Sequence, residues 1–95
     1  MYRIKQSKSF SKSLKKLVKL HRIDLDQINY IFFLLAKDPF SKSLRTHKVN
    51  SKKHGMQYSS RVDGDLRLVW NFDNDNNLVI IIADIGGHSG SSKVY

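Results

Sequence analysis

Arginine, histidine and tyrosine side chains that could act on a phosphodiester are concentrated in the last third of this sequence. Arg61 and Arg67 flank a polar turn, and after an apolar stretch the chain continues through two glycines and His88 to Tyr95. A guanidinium group stays charged and can bind two phosphate oxygens at once. An imidazole titrates near neutrality and can act as a general acid or base. This combination is suited to binding and cleaving a phosphodiester.

The two arginines are predicted to lie opposite each other across a β-hairpin. A two-residue turn would place Arg61 opposite the apolar Leu66 and mismatch both faces. A three-residue turn over residues 63–65 instead pairs Val62 with Leu66 on the core side and sets Arg61 opposite Arg67 on the outer side. Like charges directly opposite cost about a few tenths of a kcal/mol, and a bound anion would reverse that cost. The alternative is a strand face that is merely solvated.

Three further side chains could take part in such chemistry. His88 could be an acid or base beside a groove, although a surface-loop histidine without a role is the alternative. Tyr95 could fill a gap in the core, stack on a base or relay a proton. His47 lies in a basic segment and could be a second acid or base. His21 and His54 are expected to be structural.

The composition favours a polyanionic or acidic partner. The chain has 17 Lys and Arg residues against 8 acids, all of them Asp, with a formal net charge of +9 and a pI near 10.0. Such an excess attracts polyanions and is tolerated where phosphates or an acidic partner neutralise it. A basic surface that only keeps the protein soluble is the alternative.

Other classes of protein and site are excluded by composition. The absence of cysteine excludes disulfides and thiolate metal sites and fits a reducing cytoplasm. The four histidines lack zinc-site spacing, so we expect no metal and no other cofactor. No apolar run reaches the ~18 to 20 residues of a membrane span, and the start lacks a signal-peptide pattern. We expect a single cytoplasmic domain over residues 1–95 that makes no membrane contact.

Two helices are predicted in the first half of the chain. Apolar residues recur at helical spacing in the first helix, at Phe10, Leu14, Leu17 and Val18. The second helix should begin at Asp24, which with Gln27 resembles a capping box, and should end at Asp38, before Pro39. Its apolar face is widened by residues that should pack on the sheet and the first helix together, namely Tyr30, Phe33 and Leu34.

The remaining pattern predicts four strands. Tyr2 and Ile4 alternate with charged residues in a short first strand, and residues 40–56, which show no period, are predicted to be a basic loop. Two strands flank the turn at 63–65, and residues 78–85 are apolar on both faces, as in a strand inside a sheet. The order is β-α-α-β-β-β, an α+β fold in which an N-terminal helical hairpin packs on a small, mainly antiparallel sheet.

Three segments together resemble the RelE/ParE superfamily of bacterial toxins: Leu44–Val49, Arg61–Trp70 and Asp84–Ser89. The resemblance spans the whole chain and is strongest to the RelE-like mRNA interferase branch. It implies the RelE-like fold and a toxin of a type II toxin-antitoxin pair that cleaves mRNA in the ribosomal A site and so inhibits translation. In that family's metal-free chemistry, the ribose 2′-hydroxyl attacks the adjacent phosphate and leaves a cyclic phosphate.

The resemblance also implies which residues act. Five residues match catalytic positions of the family: Arg67, His88, Tyr95, His47 and Arg61. Arg67 would stabilise the charge of the transition state with Arg61 in support, and His88 would be the general acid or base. Tyr95 would stack on a base or assist proton transfer, and His47 corresponds to a catalytic histidine of one branch. Asp65 resembles a carboxylate used in that branch.

The identity of the general base stays open among His47, Lys48 and other groups. Lys48 could serve only if neighbouring positive charge lowered its pKa. RNA contacts are expected from four lysines: Lys48, Lys52, Lys53 and Lys93. The first three are also expected to add their charge to the sheet face that holds Arg61 and Arg67.

The expected partners are mRNA and an antitoxin. The free toxin would be a monomer and would form a hetero-oligomer with an acidic, partly disordered segment of its cognate antitoxin over the basic groove. Two alternatives keep this fold: a ParE-like inhibitor of DNA gyrase, and a catalytically inactive module that binds RNA or a protein partner.

Overall fold

The computed structural model describes residues 1–87 of the chain. Its elements are β1 (Arg3–Gln6), α1 (Lys8–Lys19), α2 (Leu25–Lys37), a 3₁₀ helix (Lys42–Leu44), β2 (His47–Ser51), β3 (Gly55–Arg61), β4 (Leu66–Phe72) and β5 (Val79–Gly87). The two helices form a hairpin that precedes most of the sheet. The predicted α+β fold class is confirmed.

All the strands belong to one five-stranded sheet in the order β1-β5-β4-β3-β2. β1 runs parallel to β5, and the other three pairs are antiparallel, so the sheet is mainly antiparallel as predicted. β5 has a neighbour on each side, which explains why its sequence is apolar on both faces. The helices cover one face, and the core lies between them and the sheet. Its fully buried side chains include Phe10, Leu35, Leu68, Trp70, Ile80 and Ile82.

Each helix begins at a side-chain cap. The amide of Phe10 donates to Oγ of Ser7 at 3.1 Å, and the amide of Gln27 donates to Oδ1 of Asp24 at 2.9 Å. Each bond satisfies one of the unpaired amides at a helix start. The predicted start at Asp24 is therefore confirmed, and α2 ends at Asp38 as expected.

The apolar face of α2 is narrower than predicted. Tyr30 and Phe33 are 61% and 52% exposed, whereas Leu34 packs against the core. The helix contacts the interior through Ile28, Ile31 and Leu35, which recur at helical spacing. Because Tyr30 and Phe33 lie outside this stripe, the expectation that they pack on the sheet and α1 is wrong.

The stretch predicted to be a basic loop contains a strand. β2 lies at the edge of the sheet and pairs only with β3, with His47 opposite Ser59 and Ser51 opposite Gly55. It has polar residues on both faces, so it lacks the alternation that would have revealed it. Just before it, Leu44 is fully buried in the core and fixes the path of the chain.

The β3–β4 hairpin has the predicted register. Arg61 lies opposite Arg67, and the amide of Val62 donates to the carbonyl of Leu66 at 2.9 Å. The side chain of Asp63 forms the turn, because its Oδ1 accepts the amides of Asp65 at 2.8 Å and Leu66 at 2.7 Å.

A bulge in β5 decides which face its last residues occupy. Trp70 lies opposite Ile82 but Val69 lies opposite Asp84, so Ala83 is the extra residue. Ile82 and Ile85 therefore both point to the core. Asp84 is moved to the opposite face, the one that holds the two arginines of the hairpin.

Replacing the cap of α2 tests this account of the helical hairpin. We expect Asp24→Ala to lower the free energy of unfolding by about 1 kcal/mol, because the amide of Gln27 loses its acceptor. Urea denaturation of the purified protein measures the change. Asp26→Ala, which removes an exposed acid from the same helical turn, is the control. Equal losses in the two variants would contradict a capping role for Asp24.

Candidate functional site

Two guanidinium groups converge on one backbone oxygen at the hairpin turn. Nη1 of Arg67 donates to the carbonyl of Asp63 at 2.7 Å and to that of Leu66 at 3.1 Å, while Nε of Arg61 donates to the same Asp63 carbonyl at 3.3 Å. The negative end of the carbonyl dipole thus lies between two like charges. Within residues 1–87, neither arginine has an ion-pair partner. Their remaining N–H groups can bind an anion.

His47 lies on the same face as these arginines. It pairs with Ser59, and Ser59 precedes Arg61 by two residues, so the three side chains project from one side of the sheet. The side chain of His47 is exposed, and its Nδ1 lies 3.1 Å from the carbonyl of Arg45. A carbonyl can only accept, so Nδ1–H donates and the neutral ring keeps its lone pair on Nε2.

Backbone conformation fixes that carbonyl. Arg45 is the C-cap of the 3₁₀ helix and adopts the left-handed conformation, with φ of 49°. This conformation is uncommon for a residue with a side chain and requires support from its surroundings. Thr46 supplies it: its Oγ1 donates to the carbonyl of Pro39 at 2.7 Å and lies 2.7 Å from Oγ of Ser60.

The predicted lysines do not all join this group. Lys48 pairs with Tyr58 and lies on the helix-covered face, where its Nζ is 5.9 Å from the centre of the Tyr58 ring. The expectation that Lys48 adds its charge to the arginine face is therefore wrong. Lys52 and Lys53 lie in the β2–β3 turn, and Nζ of Lys53 donates to Oγ of Ser9 at 3.3 Å.

Three predicted site residues, His88, Lys93 and Tyr95, lie outside the described residues. Their roles stay predictions.

Asp65, the carboxylate of the resemblance, is held by a residue that sequence reasoning missed. Nη2 of Arg22, in the connection between the helices, lies 2.6 Å from Oδ2 of Asp65. Both side chains are about two-fifths exposed. No local sequence pattern predicts this ion pair, because Arg22 and Asp65 are 43 positions apart in the chain.

A second missed interaction joins Asp84 to His54. Asp84 is 7% exposed and is the only charged side chain among the buried residues of the described part of the chain. Burial raises its pKa, but hydrogen bonds from Ser13, His54 and the amide of Ile85, with the charge of His54, hold the pKa below the ordinary value of 3.8. His54 was expected to be structural, and the structure places it in direct contact with this carboxylate.

An open groove of about 550 Å³ adjoins the arginine face. It lies between α2, the 3₁₀ helix and the end of β3. Its lining combines apolar with basic side chains, among them Tyr30, Ile31, Leu34, Lys42, Arg45 and Arg61. Arg61 therefore lines both the groove and the arginine face.

Family membership follows from the sequence. The family model described as "Bacterial toxin of type II toxin-antitoxin system, YafQ" matches residues 2–91. The chain belongs to the YafQ family of type II toxin-antitoxin toxins. The predicted relation to RelE-type toxins is confirmed. A search of curated proteins finds no match.

Solved structures of bacterial toxins have the same fold. The metal-bound toxin from Helicobacter pylori is 26% identical and covers 93% of this chain and 96% of its own, with a TM-score of 0.73. YafQ from E. coli strain BL21(DE3) is 22% identical over 92% of this chain and 93% of its own, with a TM-score of 0.69. The E. coli DinJ-YafQ complex gives 22% identity, 93% and 94% coverage and a TM-score of 0.70.

Two negative findings apply to residues 1–87. No three or more His, Cys, Asp or Glu side chains are grouped so that they could hold a metal ion. Neither helix has the length and apolar character of a membrane span.

The lowered pKa of Asp84 predicts how stability depends on pH. A carboxylate whose pKa is lower in the folded state stabilises the fold above 3.8, and the contribution is lost as the pH falls through the folded-state value. We therefore expect Asp84→Asn to cost about 2 kcal/mol at neutral pH. The difference from the parent should narrow below pH 3.8. Urea denaturation across this range measures both, with the exposed Asp75→Asn as control. A difference that is constant with pH would contradict the prediction.

Proposed function

We propose that this YafQ-family toxin is a ribosome-dependent endoribonuclease that cleaves mRNA in the A site and inhibits translation. One observation carries the proposal: Arg61, Arg67 and His47 project from the same face of the sheet, and Nδ1 of His47 faces the carbonyl of Arg45, which leaves Nε2 as the ring nitrogen that can act as a base. These are two cations for a phosphate and a base for a hydroxyl, on a chain of strongly positive net charge.

The proposed first step is removal of a proton from the ribose 2′-hydroxyl. Nε2 of His47 accepts the proton, and the 2′-oxygen forms a bond to the adjacent phosphorus. Lys48 is disfavoured as the base, because it lies on the other face of the sheet. The hydrogen bond from Nδ1 to the carbonyl of Arg45 orients the ring.

The second requirement is stabilisation of the phosphorane-like transition state. Arg67 is fixed by the carbonyls of Asp63 and Leu66, so its free N–H groups need little reorganisation when charge develops on the phosphate. Arg61 shares the Asp63 carbonyl and would contact the same phosphate.

The last step is departure of the 5′-oxygen. The bond from phosphorus to this oxygen breaks, a general acid supplies a proton, and a 2′,3′-cyclic phosphate remains on the upstream fragment. We assign the acid to His88 and base stacking to Tyr95, both from the family resemblance. No metal takes part in the proposed steps.

Substitution of the two central residues tests the proposal. We expect Arg67→Ala to lower the rate of A-site cleavage by about 100-fold or more, and His47→Ala by about 100-fold to 10,000-fold. Cleavage of mRNA on programmed ribosomes, mapped by primer extension, measures the rate.

Matched controls are available for both substitutions. Arg3→Ala removes an exposed arginine from β1 at the far edge of the sheet. His21→Asn removes an exposed histidine whose φ of 57° asparagine tolerates. Wild-type rates in the Arg67 and His47 variants would refute the site. Intact transcripts with a supercoiling defect would indicate a gyrase inhibitor. Intact transcripts with normal supercoiling would indicate an inactive binding module.

The antitoxin is proposed to bind in the groove beside α2. DinJ-YafQ complexes show that a relative binds an antitoxin. Here the groove offers Tyr30, Ile31 and Leu34 to apolar side chains and Lys42, Arg45 and Arg61 to carboxylates. An acidic amphipathic segment fits both requirements. Because Arg61 is shared, such a segment would also neutralise the arginine face. The toxin would be a cytoplasmic monomer when it is free.

A charge reversal in the groove tests this docking site. We expect Lys42→Glu to weaken binding of the cognate antitoxin roughly tenfold and to reduce the salt dependence of binding. The antitoxin is co-purified with tagged toxin and then separated from it, and calorimetric titration of each toxin variant with this antitoxin measures the affinity. Lys15→Glu, on the exposed side of α1, is the control. Equal weakening by the two substitutions would place the antitoxin elsewhere.

A further inference from the structure

The buried carboxylate of Asp84 lies on the arginine face but has no part in the proposed chemistry. His47, Ser59, Val69 and Asp84 form one cross-strand row, with His47 at one end and Asp84 at the other. At the usual strand spacing this row is about 14 Å long. A buried charge is costly unless it is paired and hydrogen-bonded, so the partners of Asp84 reveal what it holds in place.

Those partners come from parts of the chain that are remote in sequence. Nε2 of His54, in the β2–β3 turn, lies 3.0 Å from Oδ2 of Asp84, and Oγ of Ser9, in the first turn of α1, lies 3.2 Å from the same oxygen. Nζ of Lys53 is 4.0 Å from it. The carboxylate therefore joins the β2–β3 turn to β5 and to the start of α1.

The turn is supported by local hydrogen bonds as well as by this attachment. The amide of His54 donates to Oγ of Ser51 at 3.2 Å, and the carbonyl of His54 accepts a hydrogen bond from Nε2 of Gln57 at 3.1 Å. Gly55, which follows, has a φ of 74°, and no heavy atom lies within 4 Å of the position that a Cβ would occupy there. The contacts of His54 and Lys53 with Asp84 and Ser9 connect the turn to β5 and to the start of α1.

We infer that His54 and Asp84 are positioning residues that hold Lys52 and Lys53 beside the arginine face, where these lysines bind a neighbouring phosphate of the RNA rather than the scissile one. The inference rests on the proposed function. The side chain of Lys53 is 70% exposed, so its ammonium group is open to a phosphate on the solvent side while it lies 3.3 Å from Oγ of Ser9 and 4.0 Å from Oδ2 of Asp84. If the attachment is broken, the lysines keep their charge but lose their fixed place, and binding weakens while the reacting groups are undisturbed.

RNA binding that is independent of cleavage provides the first test. The probe is a short fluorescent single-stranded RNA, and a His47→Ala background keeps it intact. We expect His54→Ala to raise Kd roughly tenfold and to lower the slope of log K against log salt by about 1.4, as for two lost lysine contacts. Lys52→Ala with Lys53→Ala should do the same, and adding His54→Ala to that pair should change little further.

Additive effects, roughly a hundredfold in the triple variant, would overturn the inference, because His54 would then act independently of the lysines. An unchanged salt slope in His54→Ala would overturn it as well. His54→Gln guards against a folding artefact, since its amide can still donate to Asp84. It should restore binding, and a folded His54→Gln protein that binds as weakly as His54→Ala would refute the role of this contact.

Kinetics on programmed ribosomes, with His47 intact, separate this inference from the proposed function. We expect His54→Ala to raise KM roughly tenfold and to leave kcat within about twofold. A loss in kcat at unchanged KM would contradict positioning of the lysines. If the parent protein cleaves nothing, the proposed function fails, and the RNA-binding experiment alone decides the inference.

Discussion

Asp63 organises the face on which the proposed chemistry takes place. Its carboxylate accepts two amides and closes the three-residue turn, which sets Arg61 opposite Arg67. Its carbonyl then accepts a hydrogen bond from each guanidinium group. One residue thus forces two like charges together and supplies the dipole that makes their proximity tolerable. The N–H groups of Arg61 and Arg67 that do not contact this carbonyl carry positive charge in fixed positions. Positive charge held in this way can stabilise a phosphate in a transition state.

One face of the sheet packs against the helices and the other holds the proposed site, and the bulge in β5 keeps Asp84 on the side of the proposed site. The helix-covered face holds the core around Trp70, whereas the other face holds His47 and the arginines. Without the extra residue Ala83 in β5, Asp84 would point toward the core, where a carboxylate is costly. The bulge instead directs Asp84 to the polar face, where His54 pairs with it. If Lys52 and Lys53 bind RNA as proposed, stability and RNA binding are coupled through this one buried carboxylate.

The sequence predicted those parts of the structure that are determined by residues close together in the chain. The caps, the helical hairpin and the register of the β3–β4 hairpin follow from spacing and from the match of apolar faces. β2 escaped prediction because an edge strand can be polar on both sides, and the wrong side was expected for Lys48 because β2 was missed. The apolar character of Tyr30 and Phe33 misled for a different reason, since exposed aromatic residues look like core residues in a sequence.

The less predictable part of the site depends on contacts between distant residues. The bulge is a property of the β4–β5 ladder, and the contact of His54 with Asp84 spans 30 positions. The family resemblance indicated His47, but only the carbonyl of Arg45 specifies which ring nitrogen can act as a base. The residue types of the arginine face could thus be read from the chain, whereas their arrangement is set by the fold.

The chemistry of the RNA ends tests the central claim most directly. If two guanidinium groups and an imidazole act on one phosphodiester as proposed, then mRNA cut in the A site will end in a 2′,3′-cyclic phosphate upstream and a 5′-hydroxyl downstream. End-specific ligation and mass spectrometry of the fragments distinguish these ends. A 3′-hydroxyl with a 5′-phosphate, or message left intact on ribosomes saturated with toxin, would contradict the account.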